Sequence, residues 1–124
     1  MKALFVNSKE KMTQVYENVA IQFIKGKNEK DQPEIRLFRN QDGKKGKVIY
    51  KFYNPTSITF KNYKSVHQMY LIDSEGELST KKIDLILSED YVKEVRSTYN
   101  WNSEKEFERF IRFAERYEYS KSHS

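Results

Sequence analysis

Residues 103–117, with the sequence SEKEFERFIRFAERY, constrain the fold of this chain more than any other segment. Four apolar side chains recur at the i, i+3, i+4, i+7 spacing of one helix face: Phe107, Phe110, Ile111 and Ala114. Ser103 and Glu106 match the S-x-x-E capping box, in which each residue satisfies a free backbone N–H at the helix start. The segment therefore predicts an amphipathic helix whose aromatic face must be covered by another part of the protein.

The opposite side of this predicted helix is cationic. At 100° per residue, four basic side chains lie within about 60° of one another: Lys105, Arg109, Arg112 and Arg116. We expect this side to stay in contact with water, and two interpretations of it remain open. It is either an ordinary solvated face, in which Glu108 pairs with Arg112 one turn later, or a docking face for an anionic partner.

Upstream of the helix, the chain alternates between short strand patterns and turns. The predicted strands cover residues 19–24, 35–40, 47–53, 67–73, 77–87 and 91–99, with a further short strand at 58–60 left open. Asp42-Gly43 with Gly46, and Ser74-Glu75-Gly76, are typical of hairpin turns. Sequential hairpins before one helix predict an α+β fold, in which antiparallel hairpins form a sheet or small sandwich covered by the C-terminal helix.

The length of 124 residues fits one domain. We expect residues 1–18 to be a loosely ordered extension or a short helix, residues 19–118 to be the domain, and residues 119–124 to be a polar tail. The chain has no cysteine, which excludes disulfides, thiolate metal sites and thiol catalysis. No apolar run is long enough to predict a transmembrane helix.

Catalytic chemistry has little support in the sequence. His67 falls in a strand pattern and His123 in the tail, with nothing to place them together. The acidic turn at residues 73–77 lacks the D-x-D-x-D-G series of a calcium loop, and residues 44–46 lack the Ser or Thr of a phosphate loop. We therefore expect a non-enzymatic protein with no catalytic residue, no metal and no cofactor.

The net charge of +5 favours an anionic partner, such as nucleic acid, an anionic membrane surface or an acidic protein loop. Basic and aromatic residues interleave at 35–40 and 47–53, as in strand platforms that stack the bases of single-stranded nucleic acid. The alternative is protein binding, in which an uncovered sheet edge accepts an extended peptide as an extra strand. Arg36, Arg39 and the helix arginines would then steer an acidic partner.

Several blocks, taken in order, resemble the Psb28 family of photosystem II assembly factors, also called the photosystem II 13 kDa protein family. The blocks are IQF with Gly26, PEIRLFR followed by QDG and Gly46, the strand ending in FYNP, the hairpin MYLIDSEGEL, and the closing EFERFIRFAERY. The resemblance extends from about residue 21 to residue 117. It depends on the order and spacing of the blocks rather than on any one of them.

The resemblance implies an extrinsic, non-enzymatic protein on the cytoplasmic or stromal face of the thylakoid membrane, in a cyanobacterium or a plastid. It implies transient binding to photosystem II assembly intermediates that contain the inner antenna CP47 and lack manganese. The C-terminal tail of the antenna would pair with the sheet, and the stromal loops of D1 and D2 would contact the protein, which would protect the immature reaction centre. We expect the free protein to be a monomer that does not bind nucleic acid.

Together, the resemblance and the charge pattern predict one partner-binding surface. Its predicted members are Arg36, Arg39, Asp42, Lys44, Lys47, Met69, Tyr70, Glu75, Glu77, Arg109, Arg112 and Arg116. The arginines would meet acidic or carbonyl-rich loops of the partner. Met69 and Tyr70 would supply apolar contacts or would instead belong to the core, and the sequence leaves both interpretations open.

Overall fold

The computed structural model describes residues 18–123, so most of the predicted N-terminal extension lies outside the described residues. These residues form eight strands and one helix: β1 Ala20–Ile24, β2 Lys27–Asn28, β3 Glu34–Arg39, β4 Gly46–Tyr53, β5 Met69–Asp73, β6 Gly76–Thr80, β7 Ile83–Leu87, β8 Val92–Trp101 and α1 Glu104–Ser122. A single 3-10 turn at Tyr63–Ser65 lies between β4 and β5.

The strands form two antiparallel four-stranded sheets. The first sheet has the order β2-β1-β5-β6, and the second has the order β3-β4-β8-β7. Both predicted hairpins are present: β3 pairs with β4, placing Leu37 opposite Val48, and β5 pairs with β6, placing Leu71 opposite Leu78. The predicted α+β fold, with antiparallel sheets and a C-terminal helix, is confirmed.

Large aromatic side chains join the two sheets and the helix into one core. The alternation of β4 places Val48, Tyr50 and Phe52 on its buried face. The ring of Phe52 meets that of Phe23 from the first sheet edge-on, with centroids 5.1 Å apart. In the same core, Phe110 of α1 stacks on Trp101, with centroids 5.5 Å apart. Aromatic pairs of this kind contribute beyond the area they bury, so the helix is a structural part of the domain.

The predicted strand at residues 77–87 is wrong, because the chain forms two strands there that belong to different sheets. β6 completes the first sheet, and β7 pairs with β8 in the second. The crossing at residues 81–82 is held by the carbonyl of Lys82, which accepts hydrogen bonds from the Thr98 amide and the Ser97 hydroxyl. The apolar alternation changes phase between Leu78 and Ile83, with Lys81 and Lys82 between them, and this is the local sign of the change of sheet. Residues 58–60, left open above, form no strand.

The helix begins as predicted, since the Ser103 hydroxyl accepts a hydrogen bond from the Glu106 amide at 3.1 Å. Its buried face is centred differently from the prediction: the buried residues are Phe110, Phe113 and Tyr117, and the other predicted apolar residues lie at the margin. The helix also continues to Ser122, through most of the predicted polar tail, where Ser120 and Ser122 donate to carbonyls three residues earlier. Within the described residues, no helix is long and apolar enough to cross a membrane.

Candidate functional site

The second sheet ends at β3 on one side and at β7 on the other. β3 pairs with β4 from Glu34 opposite Lys51 to Arg39 opposite Gly46, and no other described strand adjoins it. All six residues of β3 are exposed, including Ile35 at 48%, Leu37 at 43% and Phe38 at 48%. In an antiparallel edge strand, alternate peptide groups point away from the partner strand and remain available for hydrogen bonding. β3 is therefore suited to accept a further strand.

A groove of about 560 Å³ runs between β3 and the C-terminal half of α1. Ile35 and Leu37 line it from the strand, Ala114 and Tyr117 line it from the helix, and Phe110 also contributes to the lining. The buried hydroxyl of Tyr117 has no hydrogen-bond partner among the described residues, and burial raises the pKa of this group above its ordinary value. The groove is thus mainly apolar, and the unpaired Tyr117 hydroxyl is buried.

The tip of the β3–β4 hairpin brings together four of the predicted site residues. Arg39 donates to the carbonyl of Gly43 at 2.6 Å, and its guanidinium lies 3.8 Å from the centroid of the Phe107 ring. Asp42 accepts a hydrogen bond from the amide of Lys44 at 2.9 Å, which fixes the turn. Lys47 lies on the next strand, with its ammonium group 5.6 Å from the centroid of the Phe38 ring. Arg36 is exposed on β3 itself.

The three helix arginines contact the β5–β6 turn, so the prediction of a solvated cationic side is wrong for most of this stripe. Arg109 forms two hydrogen bonds to Asp73, at 2.7 and 2.9 Å, and Arg116 bridges Asp73 and Glu75 at 3.0 and 2.6 Å. Arg112 pairs with Glu75 at 2.8 Å rather than with a residue of its own helix. The Asp73 side chain is fully buried, and a buried carboxylate requires a partner charge and hydrogen bonds.

The pairing of Glu75 with the helix arginines makes the stability of the fold decrease at acid pH. Hydrogen bonds from Arg112 and Arg116 lower the pKa of Glu75 from its ordinary value of 4.5 to about 2. A lowered pKa in the folded state means that this stabilisation is complete above about pH 4.5 and is lost as the pH falls towards 2. We expect the difference in urea midpoint between the wild type and Glu75→Gln to narrow over that range. Glu89→Gln removes an acidic side chain outside the cluster, and an equal narrowing in that variant would contradict the assignment.

The predicted residues on β5 and β6 do not share the surface of the β3–β4 hairpin. Met69 is fully buried in the core, which decides between its two interpretations. Tyr70 points away from the core, 4.8 Å from the ammonium group of Lys25, and the same lysine pairs with Glu77 at 2.7 Å. These contacts lie on the first sheet, whereas the hairpin tip belongs to the second.

Sequence reasoning missed the apolar part of the candidate site. Ile35 and Leu37 alternate in the manner of core residues, and nothing in their local pattern distinguishes a strand at a sheet edge from a strand in the middle. Tyr117 stands at the end of the predicted helix, where no pattern marks it as part of a groove. The described residues contain no cluster of three or more acidic or histidine side chains that could hold a metal ion.

The fold and the site together define an α+β domain with an open sheet edge beside an apolar groove. A family model described as "Psb28 protein" matches residues 21–123. The photosystem II reaction center Psb28 protein of Prochlorococcus marinus strain NATL2A is 77% identical over 106 residues, which cover 86% of this chain and 94% of that relative. The chain belongs to the Psb28 family, and the resemblance inferred from the sequence is confirmed.

More distant relatives carry the same name. The protein from Prochlorococcus marinus strain MIT 9211 is 42% identical over 100 residues, covering 81% of this chain and 86% of that relative. The protein from Synechococcus sp. strain CC9605 is 38% identical over 98 residues, covering 79% and 77%. All three relatives are cyanobacterial.

Proposed function

We propose that this chain is an extrinsic, non-enzymatic assembly or repair factor of photosystem II. It binds transiently to intermediates that contain CP47 and lack manganese, on the cytoplasmic or stromal face of the thylakoid membrane, and it protects the immature reaction centre. Membership of the Psb28 family supports photosystem II as the partner, because the relatives are named as photosystem II reaction center proteins.

The observation that carries the binding mode is the open edge of β3. The C-terminal tail of CP47 adds to β3 as an extended strand, and every second side chain of the tail points into the groove. Backbone hydrogen bonds to a six-residue strand contribute about 0.5–1.5 kcal/mol each. Covering Ile35 and Leu37, which are nearly half exposed, adds a hydrophobic contribution that ordinary surface contacts lack.

The exposed cations near this edge supply a second contact. Arg36 on β3 and Lys44 at the hairpin tip are exposed and form no ion pair among the described residues. They are suited to acidic or carbonyl-rich segments of a partner, which we take to be the stromal loops of D1 and D2. The helix arginines contribute less to this contact, because their charges already meet Asp73 and Glu75.

Binding of the tail is tested with a labelled synthetic peptide of the CP47 C-terminus and fluorescence anisotropy. We expect the double variant Ile35→Asp, Leu37→Asp to weaken binding about tenfold or more, because it removes the apolar surface that the peptide covers. Ile86→Asp, Leu87→Asp is the matched control, since these residues are similarly exposed on β7, the opposite edge of the same sheet. Equal loss in both double variants would contradict the assignment to β3.

The assembly role is tested separately by recovering the tagged protein from thylakoids. Co-purification with photosystem II that lacks a complete manganese cluster is the expected result. Recovery only with mature centres, or with no photosystem II subunit, would overturn the proposal.

The hypothesis of nucleic-acid binding stays a prediction. The basic and aromatic residues of β3 and β4 do come together on the sheet: Lys47 lies over Phe38 and Lys51 lies over Tyr53. Glu34 lies on the same face, where it accepts a hydrogen bond from Tyr53 and lies 3.9 Å from the Lys51 ammonium group. Titration with labelled oligonucleotides at two salt concentrations tests it, since phosphate contacts make binding steeply dependent on salt.

A further inference from the structure

A second cleft, of about 480 Å³, opens on the other side of the β3–β4 hairpin, where these strands approach the end of β8. Its lining includes the cationic residues Arg39, Lys45, Lys47 and Lys82 and no acidic residue. None of the three lysines forms an ion pair within the part of the chain that the structure describes. Asparagine side chains at positions 40, 100 and 102 add amide groups to the same lining.

Residue 46, which lines the cleft, lies too close to the Trp101 indole to carry a side chain. A Cβ atom at Gly46 would lie 2.5 and 2.8 Å from Cζ2 and Cε2 of the Trp101 indole and would press against the carbonyl oxygen of Phe38. These separations are too short for real carbon contacts, so any larger residue would displace the indole or the strand. Glycine at this position therefore keeps the backbone close to the edge of the indole that carries its nitrogen.

The indole supplies a donor that has no partner. Trp101 lines the cleft and is 1% exposed, and its Nε1–H makes no hydrogen bond within the described residues. Leaving a buried donor without an acceptor is costly, and native structures usually provide one. An acceptor that enters the cleft would meet three ammonium groups without ion pairs and no carboxylate in the lining, beside an indole whose buried N–H is unused. The combination suits an oxyanion with several acceptor oxygens, such as a phosphate or sulfate group.

We propose that this cleft binds the anionic headgroup of a membrane lipid. The charge complementarity is local, because the lining of this cleft carries four cationic side chains and no acidic one. Phe38 lies at the same place with 48% of its surface exposed, so an apolar ring accompanies the cations. Aromatic side chains favour the membrane interface, and lysines favour an anionic surface. Their pairing here therefore fits an anionic membrane better than free phosphate in water. The inference goes beyond tail binding, which uses the groove on the opposite side of β3.

Protein-free vesicles test the proposal independently of any photosystem subunit. Trp101 is the only tryptophan of the chain, so its fluorescence reports events in the cleft directly. We expect its emission to change with vesicles of phosphatidylcholine mixed with phosphatidylglycerol, and not with phosphatidylcholine alone. Co-sedimentation with the same vesicles gives the partition coefficient, which should fall as salt is raised.

The triple variant Lys45→Gln, Lys47→Gln, Lys82→Gln should lower that coefficient by about 100-fold, since each lysine near an anionic surface contributes roughly fivefold or more. The control Lys61→Gln, Lys64→Gln, Lys93→Gln removes the same charge from exposed positions outside the cleft and should retain most of the binding. Equal loss in both triple variants would mean general attraction of a basic protein and would overturn the proposal. If inorganic phosphate alone produces the same change of Trp101 emission, the site binds free phosphate. If an oligonucleotide binds more tightly than the vesicles, the site binds nucleic acid. Either result would overturn the proposal of a lipid site.

Discussion

Replacing Asp73 with alanine should lower the free energy of unfolding by about 3 kcal/mol, at the lower end of the range for breaking a buried ion pair. The fully buried carboxylate of Asp73 binds both Arg109 and Arg116, whose side chains are only 18% and 16% exposed. Its removal leaves two guanidinium groups with one remaining partner, Glu75, which explains why the loss is not larger. Urea unfolding followed by circular dichroism measures the effect.

The β5–β6 hairpin provides a control for that prediction. Glu77 is another acidic residue of this hairpin, but both Glu77 and its partner Lys25 are exposed. Exposed ion pairs contribute little to the free energy of unfolding. Glu77→Ala should therefore change the unfolding midpoint far less than Asp73→Ala. If the two variants unfold at the same urea concentration, the cluster does not hold the helix to the hairpin as we infer.

The second large effect is expected at Glu29, between β2 and β3. Its buried carboxylate accepts hydrogen bonds from the amide and hydroxyl groups of Thr56 and Ser57 and from the Asp31 amide, at 2.7 to 3.2 Å. In Glu29→Gln, one acceptor oxygen becomes an NH₂ group that faces donors. We expect a loss of about 2–4 kcal/mol, because buried donors without acceptors are costly and bonds to a charged acceptor are stronger.

The pH dependence separates this charged anchor from ordinary packing. Burial would raise the pKa of Glu29, but hydrogen bonds from Asp31, Ser57 and Thr56 outweigh it, and the pKa lies below its ordinary value of 4.5. The stabilisation is therefore present above about pH 4.5 and is lost as the pH falls below that value. Wild type and Glu29→Gln should converge in acid. Asp31→Asn is the control, since its side chain accepts only a shared, exposed bond from Thr56, and a loss as large as that of Glu29→Gln would contradict the central role of Glu29.

Glu29 also bears on the candidate site. It fixes the loop that leads into β3, and Gln32 and Pro33 from this loop line the groove beside the strand. A variant that loosens the loop should weaken tail binding without touching Ile35 or Leu37. Tail affinity measured well below the unfolding transition separates this effect from global unfolding.

The helix arginines show how a correct local pattern can leave the partners of its charges undecided. Their common stripe was evident from the sequence, and so was the acidic turn that contains Asp73 and Glu75. The pairing between them joins residues 36 to 43 positions apart, and periodicity within one helix carries no information about it. The same limit applies to Met69, whose alternation fits either face of a strand until the sheet is assembled.

By itself, the sequence determined the elements with local causes: the capped helix, the two hairpins, the α+β class and, through the order of its blocks, the family. The helix and the hairpins depend on hydrogen bonds and side-chain spacings within a few residues, so a short segment of the sequence is enough to predict each of them. Only the tertiary structure decided that residues 77–87 divide between two sheets, and that the basic stripe of residues 103–117 is largely paired with a distant turn. It also decided that β3 lies at an edge of the sheet formed by the described strands. The physical reason is that burial and charge pairing depend on which distant segments meet, and a segment's own pattern is the same whichever neighbour it finds.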